Sequence, residues 1–306
     1  MTIINSSTSA FYDRSQLGMQ DLRLQAENLQ ASISSGKRLS TSSDDPVAAA
    51  RMRQLSRSDS MSNIDEANSK RASADLSLAD GIMTSFSNYV IRVKELATQA
   101  ANGTLSDAQR TGIGAEIAAI RENVIDLANS RDATGHALFG GQTAGDAYAV
   151  DLAGNASYTG TGTANELPIG DGQTVSSSMT GPEFLSIKVG GTSTDLMAVL
   201  KTLADSLQTG SPSPQTTAHD SLDALNASVD SITTAQTVIG ARMSWIDMST
   251  QRRQDMSELR ANEESDVGGT DMATAVAKLQ ETMTVLQASQ ASFAKLASLS
   301  LFDVIR

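Results

Sequence analysis

Residues 271–306 carry the most regular hydrophobic pattern in the chain. Met272, Val276, Leu279, Met283, Leu286 and Phe293 follow alternating steps of four and three, interrupted by the polar Gln290. A mean step of 3.5 residues keeps one narrow apolar stripe on a helix, and such a stripe calls for a partner helix rather than a broad globular core. Leu296, Leu299, Leu301, Phe302, Val304 and Ile305 then add more apolar surface than one seam can cover. A chain terminus is ordinarily polar and frayed. This one is expected to be buried in an assembly.

The same spacing recurs at the other end of the sequence. Tyr12, Met19, Leu22, Ala26, Leu29 and Ile33 mark a second heptad helix over residues 7–35, stopped by Gly36, with Lys37 and Arg38 at the negative end of its dipole. Asp45 and Pro46 read as a cap followed by proline at the first helical position, opening a helix that runs to about Ala101. Its second half repeats as Ala72, Leu76, Ala79, Met83, Phe86, Val90, Val93, Ala97. Ser106 with Gln109 forms a capping-box pattern for a third helix (Ile113, Ile117, Ile120, Val124, Leu127), whose first turns Gly112 and Gly114 weaken. The heptad returns as Leu222, Leu225, Val229, Ile232, Ile239, Met243 and Ile246, reaching about Asn262, before Gly268-Gly269 and a Thr270 or Asp271 cap. Between Asp132 and Pro214 the texture is different. Closely spaced glycines punctuate short runs such as Tyr148–Leu152 and Phe184–Val189, which predicts β-strands, and 194–207 reads as one short helix before a hinge at 210–214.

Composition narrows what such helices can do. Aromatic residues are 4% of 306, so Ala, Ser, Thr, Leu and Met must do most of the packing, which suits narrow bundles. A net charge of -12 argues against nucleic acid, whose phosphates require a basic surface. The short basic clusters are Lys37-Arg38 and Arg51, Arg53, Arg57; the latter suits a solvated helix face or charge contacts between subunits. Residues 131–220 set Arg131, Lys188 and Lys201 against nine acidic residues, a composition for an outward-facing region. Without cysteine there is neither a disulfide framework nor a thiolate metal site. No run of about 18 apolar residues occurs, and the first residues lack the pattern of a cleaved secretory signal, so no membrane span and export without a cleaved peptide are the expectations.

Catalytic patterns do not assemble in the sequence. His136 and His219 have no second ligand at metal spacing. Gly36-Lys37 fails the phosphate-loop pattern, which would need Gly at 31 and Ser or Thr at 38 where the chain has Ala31 and Arg38. The Asp44-Asp45 pair fits capping better than acid–base work, and the glycines of 135–145 are turn formers. The expectation is no enzyme, no cofactor and no metal. A glycan-binding or enzymatic site within 146–215 has Tyr148, Tyr158 and Phe184 as its aromatic residues, too few for a platform. An intracellular coiled-coil signalling protein is a third reading of the helices alone.

Leu-Gln-Ala-Ser-Ile-Ser-Ser-Gly-Lys-Arg-Leu-Ser over residues 29–40, followed by Asp44-Asp45-Pro46, resembles the N-terminal signature of bacterial flagellins and their relatives. Ile239-Gly-Ala-Arg-Met243, Leu138-Phe139-Gly-Gly, Leu286-Gln-Ala-Ser-Gln-Ala-Ser-Phe293 and Leu299-Ser-Leu-Phe-Asp303 are similar to the hook-associated members of that family, and the ending Asp303-Val304-Ile305-Arg306 favours them over filament subunits. Residues 146–215 carry none of the resemblance.

The resemblance and the periodicities together imply a mainly α protein, with long heptad helices from both chain ends in a rod-like coiled-coil bundle and a small β-rich domain inserted in the middle. The expected domains are a terminal coiled coil (1–40 and 268–306) disordered in the monomer, a helical rod (41–140 and 215–267), and an outward-facing variable domain (141–214). The resemblance implies an extracellular structural role, a ring of copies joining flagellar hook to filament, with a filament subunit as the alternative. It also implies export through the flagellar type III channel. Its partners would be further copies of itself, the first hook-associated protein, flagellin and a cytoplasmic export chaperone. Leu22, Leu29, Ile33, Val276, Leu279, Met283, Leu286, Phe293, Leu296 and Leu299 are the expected assembly contacts, with Arg51, Arg53 and Arg57 as charge contacts between subunits.

Overall fold

The computed structural model describes residues 3–210 and 213–304. Its elements, in chain order, are α1 (Ile3–Ser35), α2 (Pro46–Ala100), α3 (Asp107–Ala128), β1 (Tyr148–Val150), β2 (Ala156–Tyr158), β3 (Glu166–Gly170), β4 (Gln173–Ser176), α4 (Gly181–Leu185), β5 (Ser186–Val189), β6 (Thr192–Asp195), α5 (Leu196–Thr209), α6 (Pro214–Gly268) and α7 (Met272–Val304). Helix dominates, as the heptads require. The lengths are matched: α1 and α7 have 33 residues each, and α2 and α6 have 55 each.

The helix boundaries follow their local chemistry. Asp45 accepts the Ala48 N–H at 3.0 Å ahead of Pro46, and Asp271 accepts the N–H groups of Ala273 and Thr274 at 3.0 and 3.3 Å. Ser106 and Gln109 close the reciprocal capping box. Arg110 has a part the sequence did not suggest. Its buried guanidinium donates to the carbonyls of Ala100 and Asn102 at 3.4 and 3.2 Å, satisfying acceptors that α2 leaves open where it stops.

Contacts divide the chain into two compact units, Met1–Ser60 with Asp255–Arg306, and Met61–Gln254. In the second unit, Ala72, Leu76, Ala79, Met83, Phe86, Val90 and Val93 of α2 are buried, as are Ile117 and Val124 of α3 and Leu225, Ile232 and Ile239 of α6. These are the expected seam positions. At their centre Phe86, Phe139 and Phe184 meet edge to face, with ring centroids 5.0–6.2 Å apart. Half of the six phenylalanines are thus gathered into one aromatic plug. Gly114 is buried against α5: a Cβ there would come within 2.9 Å of the Leu207 Cβ and 3.1 Å of the Ala204 carbonyl oxygen. The residue read as weakening α3 is the one that lets α5 approach it.

The glycine-rich segment forms three separate antiparallel hairpins, β1-β2, β3-β4 and β5-β6. It carries two helices, α4 and α5, where one was expected. The run Phe184–Val189 changes from helix to strand at Ser186, after α4, whose first turn holds Pro182 with its helical φ. Its buried side chains, among them Tyr148, Ile169, Phe184 and Leu200, belong to the same core as α2, α3 and α6. Hydrogen bonds bind it further. The Asn129 side chain pairs with both backbone groups of Tyr148 at 2.8 and 2.9 Å. Arg253 of α6 donates to the Ile169 carbonyl and to Ser69 Oγ of α2 at 2.5 and 2.8 Å. The hinge positions Ser211 and Pro212 lie outside the described residues; Pro214 is the first residue of α6.

Candidate assembly surface

In the first unit α1 and α7 lie antiparallel. The Thr270 N–H donates to the Gly36 carbonyl at 3.0 Å beside an antiparallel bridge between Lys37 and Gly269. Far along the pair, Tyr12 meets Phe293 edge to face at 5.4 Å. On α1 the least exposed positions include Leu22, Ala26, Leu29 and Ile33; on α7 they are Ala275, Leu279, Thr282, Leu286, Ser289 and Phe293.

The seam on α7 is therefore offset from the apolar reading of the sequence. Leu279, Leu286 and Phe293 face α1, whereas Met272, Val276, Met283 and Leu296 remain 41–47% exposed. Small and polar residues take their places because Ala275, Thr282 and Ser289 let the two backbones approach. The apolar side chains of α7 thus divide into those closed on α1 and those left partly exposed, with Val276 and Met283 beside the seam and Met272 and Leu296 in register with it toward its two ends. Leu299, Leu301, Phe302, Val304 and Ile305 lie outside the described side chains.

Between α1 and α2, residues 36–45 form a hydrogen-bonded loop. Asp44 accepts from the N–H and hydroxyl groups of both Ser40 and Thr41 at 2.6–3.0 Å. Those bonds, the Thr41 hydroxyl first among them, hold its carboxyl far below the usual range. Arg38 joins the loop to α6 through the carbonyls of Gly268 and Val267, at 2.8 Å from its N–H and 2.9 Å from its guanidinium. The Lys37-Arg38 cluster thus includes a structural clip.

Arg51, Arg53 and Arg57 are not equivalent. Arg51 grips Glu263 of α6 in a bidentate pair, with Nη2 to Oε2 at 2.8 Å, and Asp59 answers Arg260 at 2.6 Å. Arg51 is thereby engaged within its own chain. Arg53 touches only the Ser42 hydroxyl, at 3.3 Å, and Arg57 makes no ion pair among the described residues.

The second unit contains a polar cleft of about 420 Å³ between α2 and the loop after α3, lined by Arg71, Asp75, Asp132, His136, Gln142 and Asn165, among others. Burial, and then the nearby Asp132, push the Asp75 carboxyl above its ordinary value. Asp132 moves the other way: burial opposes ionisation, but hydrogen bonds from Thr134 and the His136 N–H prevail. The Nδ1 of His136 is taken by the Thr134 hydroxyl at 2.8 Å, and His219 is exposed beside Asp220. Among the described residues no three His, Cys, Asp or Glu side chains come together as a metal site, and no helix is long and apolar enough to cross a membrane. The carboxyl pair stands beside Arg71, 4.0 Å from Asp75 and 3.7 Å from Asp132.

Comparison with known proteins points the same way. The bacterial flagellin N-terminal helical region matches residues 4–144. Flagellar hook-associated protein 3 of Escherichia coli K12 is 24% identical over 97% of this chain and 98% of its own length. A solved structure of a candidate flagellar hook-associated protein from Vibrio parahaemolyticus is 25% identical with a TM-score of 0.67, covering 74% of this chain and all of that one. The flagellar junction protein FlgL from Legionella pneumophila, at 15% identity, has the same fold at a TM-score of 0.59, covering 71% of this chain and 99% of that one. These similarities support a structural role in the flagellum.

Proposed function

We propose that this chain, which carries the bacterial flagellin N-terminal helical region and is similar along its length to flagellar hook-associated protein 3, forms the ring that joins hook to filament. The observation that carries the reading is the end-to-end match to flagellar hook-associated protein 3, with which the solved hook-associated structure agrees. The partly exposed apolar side chains on and beside the α7 seam fit it, because a helix pair built to work in isolation would cover them. Nothing is catalysed in this reading. Subunits associate with one another, with the first hook-associated protein on one side and with flagellin on the other, after export through the flagellar type III channel and chaperoning of the C-terminal helix in the cytoplasm. Domain 1–40 with 268–306 acts as the inner, assembly-dependent part, 41–140 with 215–267 as the rod, and 141–214 as the outward domain.

Deleting the gene in the bacterium that carries it tests this. Cells should keep hooks, lose attached filaments and secrete flagellin into the medium, and the intact gene supplied in trans should restore filaments. Normal filaments on the deletion strain would refute the junction role. Loss of flagellin synthesis itself would point to the filament-subunit reading.

A further inference from the structure

Where α2 and α6 run together in the first unit, two arginines and two carboxylates that take no part in the internal ion pairs lie on opposite outward faces. Leu55 is buried and marks the side of α2 that faces inward. Arg53 and Arg57 stand two residues before and after it, which at about 100° per residue places both roughly 160° round the helix from Leu55. On α6, Arg260 turns toward α2 to reach Asp59. Glu258 stands two residues before Arg260 and Asp266 six after it, so both lie on the far side of α6, and both are exposed without an ion pair among the described residues. On α6, Leu259 beside Glu258 is 61% exposed.

We propose that the Arg53–Arg57 face of α2 in one copy docks on the Glu258–Asp266 face of α6 in the next copy. The inference rests on the assembly reading and deepens it by naming the surface and its polarity. Either face set against itself would bring like charges together, so the two-fold symmetric contact is disfavoured. Opposite charges on opposite faces select a head-to-tail contact, and head-to-tail contacts generate rings when their rotation closes. Arg51 and Glu263 satisfy each other inside the chain, which leaves the outer pairs to act between copies.

Charge reversal on the full-length chain, expressed in the deletion strain, tests the proposal. The variant Arg53→Glu, Arg57→Glu and the variant Glu258→Arg, Asp266→Arg should each lower the fraction of cells bearing filaments by about tenfold or more, since like charges are then forced together. Combining all four substitutions in one chain restores complementarity between neighbours and should return that fraction close to the parent's. Arg53→Ala, Arg57→Ala, which adds no repulsion, should give a smaller loss. Export into the medium and circular dichroism of the purified chains identify any variant that fails before assembly. The proposal is overturned if both single-face reversals support filaments as the parent does, or if the fourfold chain, exported and folded, stays defective. A defect on one face alone also overturns it, since that face would then meet a different protein. Filaments on the deletion strain would sink the junction role; a working parent with indifferent reversals would sink the charged interface alone.

Discussion

Single residues decide how closely the elements of the second unit approach. Gly114→Ala places a methyl group against the Leu207 Cβ and the Ala204 carbonyl, one of them backbone that cannot swing away. Helix propensity favours alanine over glycine, yet overpacking of this kind costs about 1–3 kcal/mol, so the sign of the change reports the contact. Urea unfolding should show a lower midpoint for Gly114→Ala. Gly112→Ala, with nothing within 4 Å of its added carbon, should hold or raise it. A sequence reading sees two equivalent helix-weakening glycines here. Only the position of α5 separates them, and α5 arrives from residues 196–209, far along the chain.

At the scale of elements, the long helices were legible because a heptad repeats over many turns and its caps are local. Asp45, Gly36, Ser106 and Asp271 each act within a few residues of themselves. The register of α7 was not legible to the same degree. Its seam admits Ala275, Thr282 and Ser289 because the facing helix is close, and closeness is a property of the pair. The candidate contact residues consequently separate into those closed on α1 and those left partly exposed. Truncating the partly exposed set with Val276→Ala, Met283→Ala and Leu296→Ala should leave thermal melting of the free chain nearly unchanged, since partly exposed side chains lose little. In the proposed ring the same side chains would become buried, where each loss is worth about 2 kcal/mol. The triple variant should therefore be exported and fail to retain filaments. A clear drop in melting temperature would show that these side chains already pack inside the free subunit.

At the scale of the whole molecule, the two units differ in how much they bury. Among the described residues of α1 and α7, only Ala26, Ala275 and Leu286 are buried. The second unit buries three phenylalanines and most of its leucines and isoleucines in one continuous core. A pair of helices with so thin a seam is marginal in water, since helical stability in proteins comes chiefly from packing. Limited proteolysis of the soluble chain should thus cut first within 1–40 and 268–306 and leave a resistant fragment containing 61–254. Equal resistance of both regions would contradict the expectation of ends that order on assembly. The insertion was visible as a change of texture, but its sharing of one core with α2, α3 and α6 was not: Phe139 and Phe184 are isolated letters until the chain brings them to Phe86.

Because Gly36 meets Thr270 at one end of the pair and Tyr12 meets Phe293 far along it, the length of the paired stretch is a joint property of two segments distant in sequence. Removing one heptad from α1 alone would withdraw about 10 Å of partner from α7 and strand Phe293 beyond Tyr12. Insertions and deletions in such a protein can survive only as matched events at two distant places in the gene, while the hairpin loops between them are free to lengthen singly.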